Sequence, residues 1–254
     1  MIFCRFSFQD DASNTIRYGL VESHHVKEIT PNPFSDFEII DQEIPFSSVI
    51  LHAPTLPSKI VGVGLNYKAH AKEMDHPLPE EPVLFLKPST SLIGPEYYIH
   101  YPKMSSRVDY EAELAVVIKK QGKDIPLENV KDYILGYSCF NDITARDLQK
   151  MDGQWGRAKS FDTFSAMGPW IITDLDPSNL QIESYLNGEL KQSCKTSDMI
   201  FDVPTLISFI SKVMTLEPGD IIATGTPPGI GPMQRGDSID IRIEGIGLLR
   251  NTVR

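Results

Sequence analysis

The segment D-Y-E-A-E-L at residues 109–114 places a carboxylate at every second position. On an extended chain side chains alternate, so Asp109, Glu111 and Glu113 point to one face and Tyr110, Ala112 and Leu114 to the other. Carboxylates two residues apart lie ~7 Å apart at Cα, close enough for both to reach one cation. Turned inward, such anions repel one another unless a cation neutralises them. Taken alone, the segment reads more simply as the solvated face of an edge strand. Asp142 shifts the balance, because it follows the apolar run Y-S-C-F-N and precedes T-A-R-D. That places a carboxylate at a strand end, the competing role being a helix N-cap. Three hard oxygen donors with no nearby Cys or His favour Mg²⁺, with Mn²⁺ or Ca²⁺ as alternatives, over zinc.

Three further groups could act beside such a site. Lys159 has aromatic neighbours in Trp155, Phe161 and Phe164, and an ammonium buried among them needs an anionic partner. The alternative is a lysine that snorkels to the surface. Arg146 and Gln149 follow Asp142 by four and seven residues, which on a helix places all three on one face. An arginine there can grip a carboxylate in bidentate fashion, or form a surface salt bridge with Asp147 or Asp152. His70 and Glu73 form H-A-K-E, three apart on a short helix starting near Asn66. A carboxylate beside an imidazole fixes its tautomer and raises its basicity, as a base acting on water requires. Their neighbours Lys68 and Lys72 favour a surface pair instead.

Other motifs carry no chemistry. Gly62-Val63-Gly64 lacks the third glycine of a dinucleotide fingerprint, and no Lys-Ser/Thr follows the glycines of residues 225–231 as a phosphate-binding loop requires. No G-x-S-x-G nucleophile elbow occurs. The pair His24–His25, His52, His76 and His100 lacks metal-ligand spacing.

Positioning these groups falls to a strand-rich chain. Residues 1–8, 14–21 and 24–29 read as strands, and Pro54 and Pro57 punctuate the chain before its character changes at Lys59. This predicts a small N-terminal β domain over 1–55 and a catalytic domain over 56–254. Within the latter, residues 59–65, 82–87, 108–118, 220–224 and 239–243 read as strands. Asn187-Gly188 reads as a hairpin turn. Residues 203–214 have helical spacing, with Leu206, Ile207, Ile210, Val213 and Met214 on one face. Strands outnumber helices without alternating with them, so the expected class is β-rich α+β.

The 254 residues carry 34 acidic and 24 basic side chains, a formal charge of −10. Such a chain repels a phosphate backbone, so no nucleic-acid partner is expected. Three widely spaced cysteines without a C-x-x-C pair suit a reducing cytoplasm. No apolar run approaches the ~20 residues of a membrane span, and no membrane association is expected.

The ordered motifs V-G-L-N-Y-K-A-H-A-K-E-M, P-V-L-F-L-K-P-S-T-S-L-I-G-P, V-D-Y-E-A-E-L-A-V-V-I, G-Y-S-C-F-N-D-I-T-A-R-D-L-Q, R-A-K-S-F-D-T-F-S-A-M-G-P and the glycine-rich stretch from Gly219 resemble the fumarylacetoacetate hydrolase superfamily over nearly all of residues 59–254. The resemblance implies a fumarylacetoacetase C-terminal-domain-like fold and a homodimer. It implies a metal on Glu111, Glu113 and Asp142, an active-site lysine at Lys159, and substrate ligands at Arg146, Gln149 and Thr226. It also implies a His70–Glu73 pair on a lid helix. Fumarylacetoacetases proper are longer and place a further aspartate in the metal shell; this chain offers Asn66 in that neighbourhood and a short N-terminal domain, which directs the resemblance to the smaller bacterial-type acylpyruvase and isomerase branch. The activity so implied is metal-dependent hydrolysis of a carbon–carbon bond in a 3-acylpyruvate-type 2-oxo acid, through a metal-stabilised pyruvate enolate. The alternative is isomerisation, tautomerisation or decarboxylation of a 2-oxo diacid.

Overall fold

A computed structural model of the protein describes every residue except Ala12, Asn14, Met74 and His76. The start of the strand expected over 14–21, the last residue of the expected helix over 66–74, and His76 thus touch or lie outside the described residues. The fold is mixed α+β. One large sheet runs in the order Glu38–Ile39, His25–Thr30, Arg17–Glu22, Ile2–Phe8, Ser165–Ile172, Ile134–Asp142, Ala112–Ile118, Ile221–Ala223, Ile60–Gly64, Val83–Lys87. The N-terminal strands continue this sheet, since Ile2 and Phe3 pair with Ile172 and Ile171. A second sheet, of five strands, runs Tyr98–Ile99, Gly247–Val253, Ser238–Ile243, Gln181–Leu186, Glu189–Lys195. The turn between its last two strands holds Asn187 and Gly188 at φ 52° and 82°, as a tight hairpin turn requires.

The main core lies where the two sheets and a helix meet. Leu114, Val116 and Ile118 of one strand pack in a single cluster with Ile182, Ile239, Ile241 and Leu249 of the second sheet and with Leu206, Ile207 and Ile210. Those last three lie on α4 (Val203–Val213), whose first turn is capped by the Asp202 carboxylate accepting from the Thr205 N–H at 2.9 Å. Each such aliphatic side chain contributes ~1.5–3 kcal/mol on burial. Val213, expected on the buried face of α4, is instead 57 % exposed, because the core ends before the last turn. On the other face of the large sheet, Ala115 and Val117 pack with Phe140, Met167 and the N-terminal Phe3. Among the described residues no helix is long and apolar enough to cross a membrane.

The expected continuous strand over 108–118 is two strands. Val108–Tyr110 pairs with Gly231–Met233 and Thr144–Ala145 in a small third sheet, whereas Ala112–Ile118 pairs within the large one. At the break the Glu111 N–H donates to the Asn141 side chain at 3.0 Å, while the Glu111 carbonyl accepts from the Asp142 N–H at 2.9 Å. The backbone of Glu111 is thereby satisfied as the chain changes partners.

Candidate active site

Glu111 occupies that strand switch, Glu113 follows on Ala112–Ile118, and Asp142 ends the neighbouring strand Ile134–Asp142. All three are buried, with one carboxylate oxygen from each lying within 4.8 Å of the others. Asp142 is no N-cap. The helix after it, α2 (Arg146–Asp152), begins four residues later with Ala145 in the capping position. For the same reason the expected shared helical face with Asp142 does not exist, although Arg146 and Gln149 do face each other from α2. Asp109 stands apart from the trio, bonded to Arg107 and Arg146 at 2.9 Å each.

Cations surround two of the three carboxylates. Lys159 ends the short helix α3 (Gly156–Lys159) and is 2 % exposed. Its Nζ donates to Glu111 Oε2 at 2.7 Å and to Asp142 Oδ2 at 2.5 Å, with the Phe85 ring 5.2 Å away. Burial works against the ammonium, but Asp142 and Glu111 outweigh it and raise its pKa. Arg146 pairs with the other oxygen of Glu111 and donates to Gln149 Oε1 at 2.6 Å. Burial alone would raise the Glu111 carboxyl; Lys159 and Arg146 together pull it below the usual range.

The structure adds Lys87, which sequence reasoning took only as the end of a strand. It is 1 % exposed, pairs with Asp142, and donates to the Phe164 carbonyl at 2.7 Å. Its pKa is lowered, because burial outweighs the attraction of Asp142.

Glu113 differs from its two neighbours. Four buried carboxylates (Asp109, Glu111, Glu113, Asp142) meet three buried cations (Lys87, Arg146, Lys159), and no ion pair reaches Glu113 among the described residues. Among the described residues its carboxylate accepts one hydrogen bond, from the Gly225 N–H at 2.9 Å. Gly225 sits at φ 97°, where a Cβ would lie 2.8 Å from that of Asn66, so glycine is needed to present that N–H. Burial, then Asp142 and Glu111, push the Glu113 carboxyl well above its ordinary range. A buried oxygen donor set left with one uncompensated carboxylate fits a hard divalent cation.

The remaining expected residues close around the trio. α1 (Lys68–Glu73) carries His70, which is buried, and its Nδ1 lies 2.9 Å from Glu73 Oε2. The other Glu73 oxygen accepts from the Gly229 N–H at 3.0 Å, tying α1 to the glycine-rich loop. Thr226 Oγ1, on the same loop, accepts from Gln192 Nε2 at 2.8 Å. Gln192 also accepts from the Ala112 N–H at 3.0 Å, and nothing in its polar strand distinguished it by sequence. Asn66 is fully engaged away from the trio, donating to the Thr224 and Phe201 carbonyls and accepting from the Phe201 N–H.

A cavity of about 800 Å³ opens on this cluster, lined by the trio, His70, Arg146, Gln149, Lys159 and Thr226. That volume suits a small organic ligand. Glu73 stands behind His70. Val83, Leu84, Phe85 and Trp155 supply an apolar side. Gly62 and Gly64 explain that side, since a Cβ on Gly62 would meet the Phe85 ring at 2.2 Å and one on Gly64 the Trp155 ring at 2.3 Å. The two glycines make room for an edge-to-face aromatic pair with centroids 5.3 Å apart. After α2, Gly153 and Gln154 also line the cavity, whereas Met151 is 73 % exposed and does not.

Comparison with known proteins agrees with this arrangement. Residues 59–254 match the fumarylacetoacetate (FAA) hydrolase C-terminal family, and residues 1–54 match an Rv2993c-like N-terminal family. A mitochondrial oxaloacetate tautomerase of Rattus norvegicus is 42 % identical over 222 residues, covering 83 % of this chain and 71 % of its own. The crystal structure of a 5-carboxymethyl-2-hydroxymuconate delta-isomerase from Mycobacterium smegmatis superposes with a TM-score of 0.93 at 43 % identity, over 100 % of this chain and 99 % of that one. A maleylpyruvate hydrolase from a Sphingobium strain superposes at 0.82 with 32 % identity, over the same shares. On this evidence the chain belongs to the fumarylacetoacetate hydrolase family.

Proposed function

We propose that the protein is a divalent-metal-dependent hydrolase that cleaves a carbon–carbon bond in a 3-acylpyruvate-type 2-oxo acid. The observation that carries this reading is the buried His70, held at Nδ1 by the more exposed Glu73 and lining the same cavity as the carboxylate trio. Glu111, Glu113 and Asp142 would hold Mg²⁺, whose contribution is Lewis-acid polarisation of the 2-oxo acid head. With Nδ1 engaged by Glu73, His70 has Nε2 left to take a proton from water. The water oxygen bonds to the distal acyl carbon, the bond from that carbon to C3 breaks, and C3 leaves with the electron pair as pyruvate enolate. The proton held on His70 then returns to C3, giving pyruvate and the carboxylic acid. Lys159 has a third N–H beyond those given to Glu111 and Asp142, free to stabilise developing oxyanion charge. Arg146, Gln149 and Thr226 would orient the substrate oxygens. In this reading residues 56–254 carry the catalysis, residues 1–55 brace them, and the working unit is a homodimer, which light scattering tests.

A second reading is favoured by the rat tautomerase and the M. smegmatis isomerase. The same site would then move a proton on a 2-oxo diacid without attacking water. Turnover of acetylpyruvate, fumarylpyruvate and oxaloacetate with Mg²⁺, with products identified by NMR, separates the two. Cleavage of acylpyruvates supports the hydrolase. Intact acylpyruvates beside oxaloacetate tautomerisation replace it with the second reading, and full activity after chelation removes the metal from both.

A further inference from the structure

Lys150 is the one basic lining residue of the cavity that has no carboxylate partner among the described residues. Arg146 is committed to Asp109 and Glu111, and Lys159 to Glu111 and Asp142. Lys150 follows Arg146 by four positions on α2, so the two share a face of that helix. The acids nearest to it on its own helix are occupied elsewhere. Asp147 accepts from the Ser105 and Ser106 hydroxyls at 2.6 and 2.9 Å, and Asp152 is paired with Arg157. Lys150 is exposed while Arg146 and Lys159 are buried, which puts its ammonium toward the solvent end of the cavity. The rise from Arg146 to Lys150 along α2 is ~6 Å, on the scale of a short carbon chain. The Phe85–Trp155 pair lines the same cavity with apolar surface suited to such a chain.

The geometry points to Lys150 as the specificity-determining residue that receives the distal carboxylate where the 2-oxo acid substrate carries one. This rests on the reading that the trio end of the cavity holds the 2-oxo acid head, and it applies equally to hydrolysis and to isomerisation. Glu111 and Asp142 cannot attract a carboxylate, and Arg146 and Lys159 serve the head, which leaves Lys150 to distinguish a charged tail from an apolar one. A charge-assisted hydrogen bond at a partly solvated site corresponds to ~10-fold in affinity.

The test is calorimetric titration of the Mg²⁺-loaded full chain with three probes. Oxalate presents the head alone, 2-oxoadipate presents head and distal carboxylate, and 2-oxohexanoate has the same length without that charge. Wild type is expected to bind 2-oxoadipate about 10-fold tighter than 2-oxohexanoate. Lys150→Met should abolish that preference by weakening 2-oxoadipate alone, Lys150→Arg should restore it, and oxalate should bind all three proteins alike. Unchanged discrimination in Lys150→Met, or equal weakening of 2-oxoadipate and 2-oxohexanoate, overturns the assignment to Lys150 while oxalate binding upholds the head site. Failure of wild type to bind oxalate removes the head site and this inference with it.

Discussion

Lys159 and His70 approach the cavity with different chemistry, and replacing each should affect the reaction differently. The Lys159 ammonium bridges Glu111 and Asp142, so Lys159→Met removes a charge both from the carboxylates and from any developing oxyanion. A fall in kcat of ~10²-fold or more is expected, read by steady-state kinetics on a variant shown by circular dichroism to be folded. An unchanged kcat would leave Lys159 as a neutraliser of its neighbours only. For His70→Ala the expected loss in acylpyruvate hydrolysis is ~10²–10⁴-fold. Glu73→Gln should be milder, because an amide oxygen can still accept from the Gly229 N–H or from His70. Both variants should retain oxalate binding, and wild-type rates in His70→Ala would remove it as the base. These residues were legible because their types are unusual where they stand: alternating acids before an apolar run, an acid at a strand end, a histidine three before a glutamate. Lys87 was not. A lysine closing an apolar strand is what a solvated strand end looks like, and only the fold brings Asp142, 55 residues away, onto its Nζ.

At the scale of elements, α2 is the piece whose placement decides the site, since it carries Arg146, Gln149 and Lys150. Asp147, in its first turn, fastens it to the segment before Arg107 by accepting from the Ser105 hydroxyl and from the Ser106 hydroxyl and N–H. Burial raises the Asp147 carboxyl, but those hydrogen bonds outweigh it and hold the pKa at about 2. The folded value lies below the unfolded one of ~3.9. The stabilisation is therefore present above pH ~4 and is lost as pH falls toward 2. Asp147→Asn should lower Tm at neutral pH, with the gap from wild type closing between pH ~4 and ~2; a gap independent of pH would mean that the charge plays no part. Most elements could be read from periodicity. The strand break at Glu111 could not, because residues 108–118 pass from alternation into an apolar run without a glycine or proline, and only the two sets of partner strands divide them. The aromatic side of the cavity was equally hidden, since Gly62 and Gly64 show their purpose only when Phe85 and Trp155 lie against them.

For the whole molecule, Glu113, the member of the carboxylate trio with no ion pair among the described residues, links ligand to stability. A cation that binds the folded trio and not the unfolded chain contributes ~2.7 kcal/mol at a hundred times its Kd. Mg²⁺ should therefore raise the wild-type Tm by several degrees in differential scanning calorimetry and Glu113→Gln by much less. An equal rise in both would place the cation elsewhere. The pairing of Ile2 and Phe3 with the Ser165–Ile172 strand has another consequence. That strand is the immediate neighbour of the one that ends in Asp142, so the N-terminal segment covers backbone donors and acceptors only one strand from the site. Cutting the chain after residue 55 would not release a tidy module. It would uncover a sheet edge flanked by apolar Phe140, Met167 and Ile171, a ready template for pairing between molecules. Such a truncation should aggregate on expression instead of yielding a smaller enzyme.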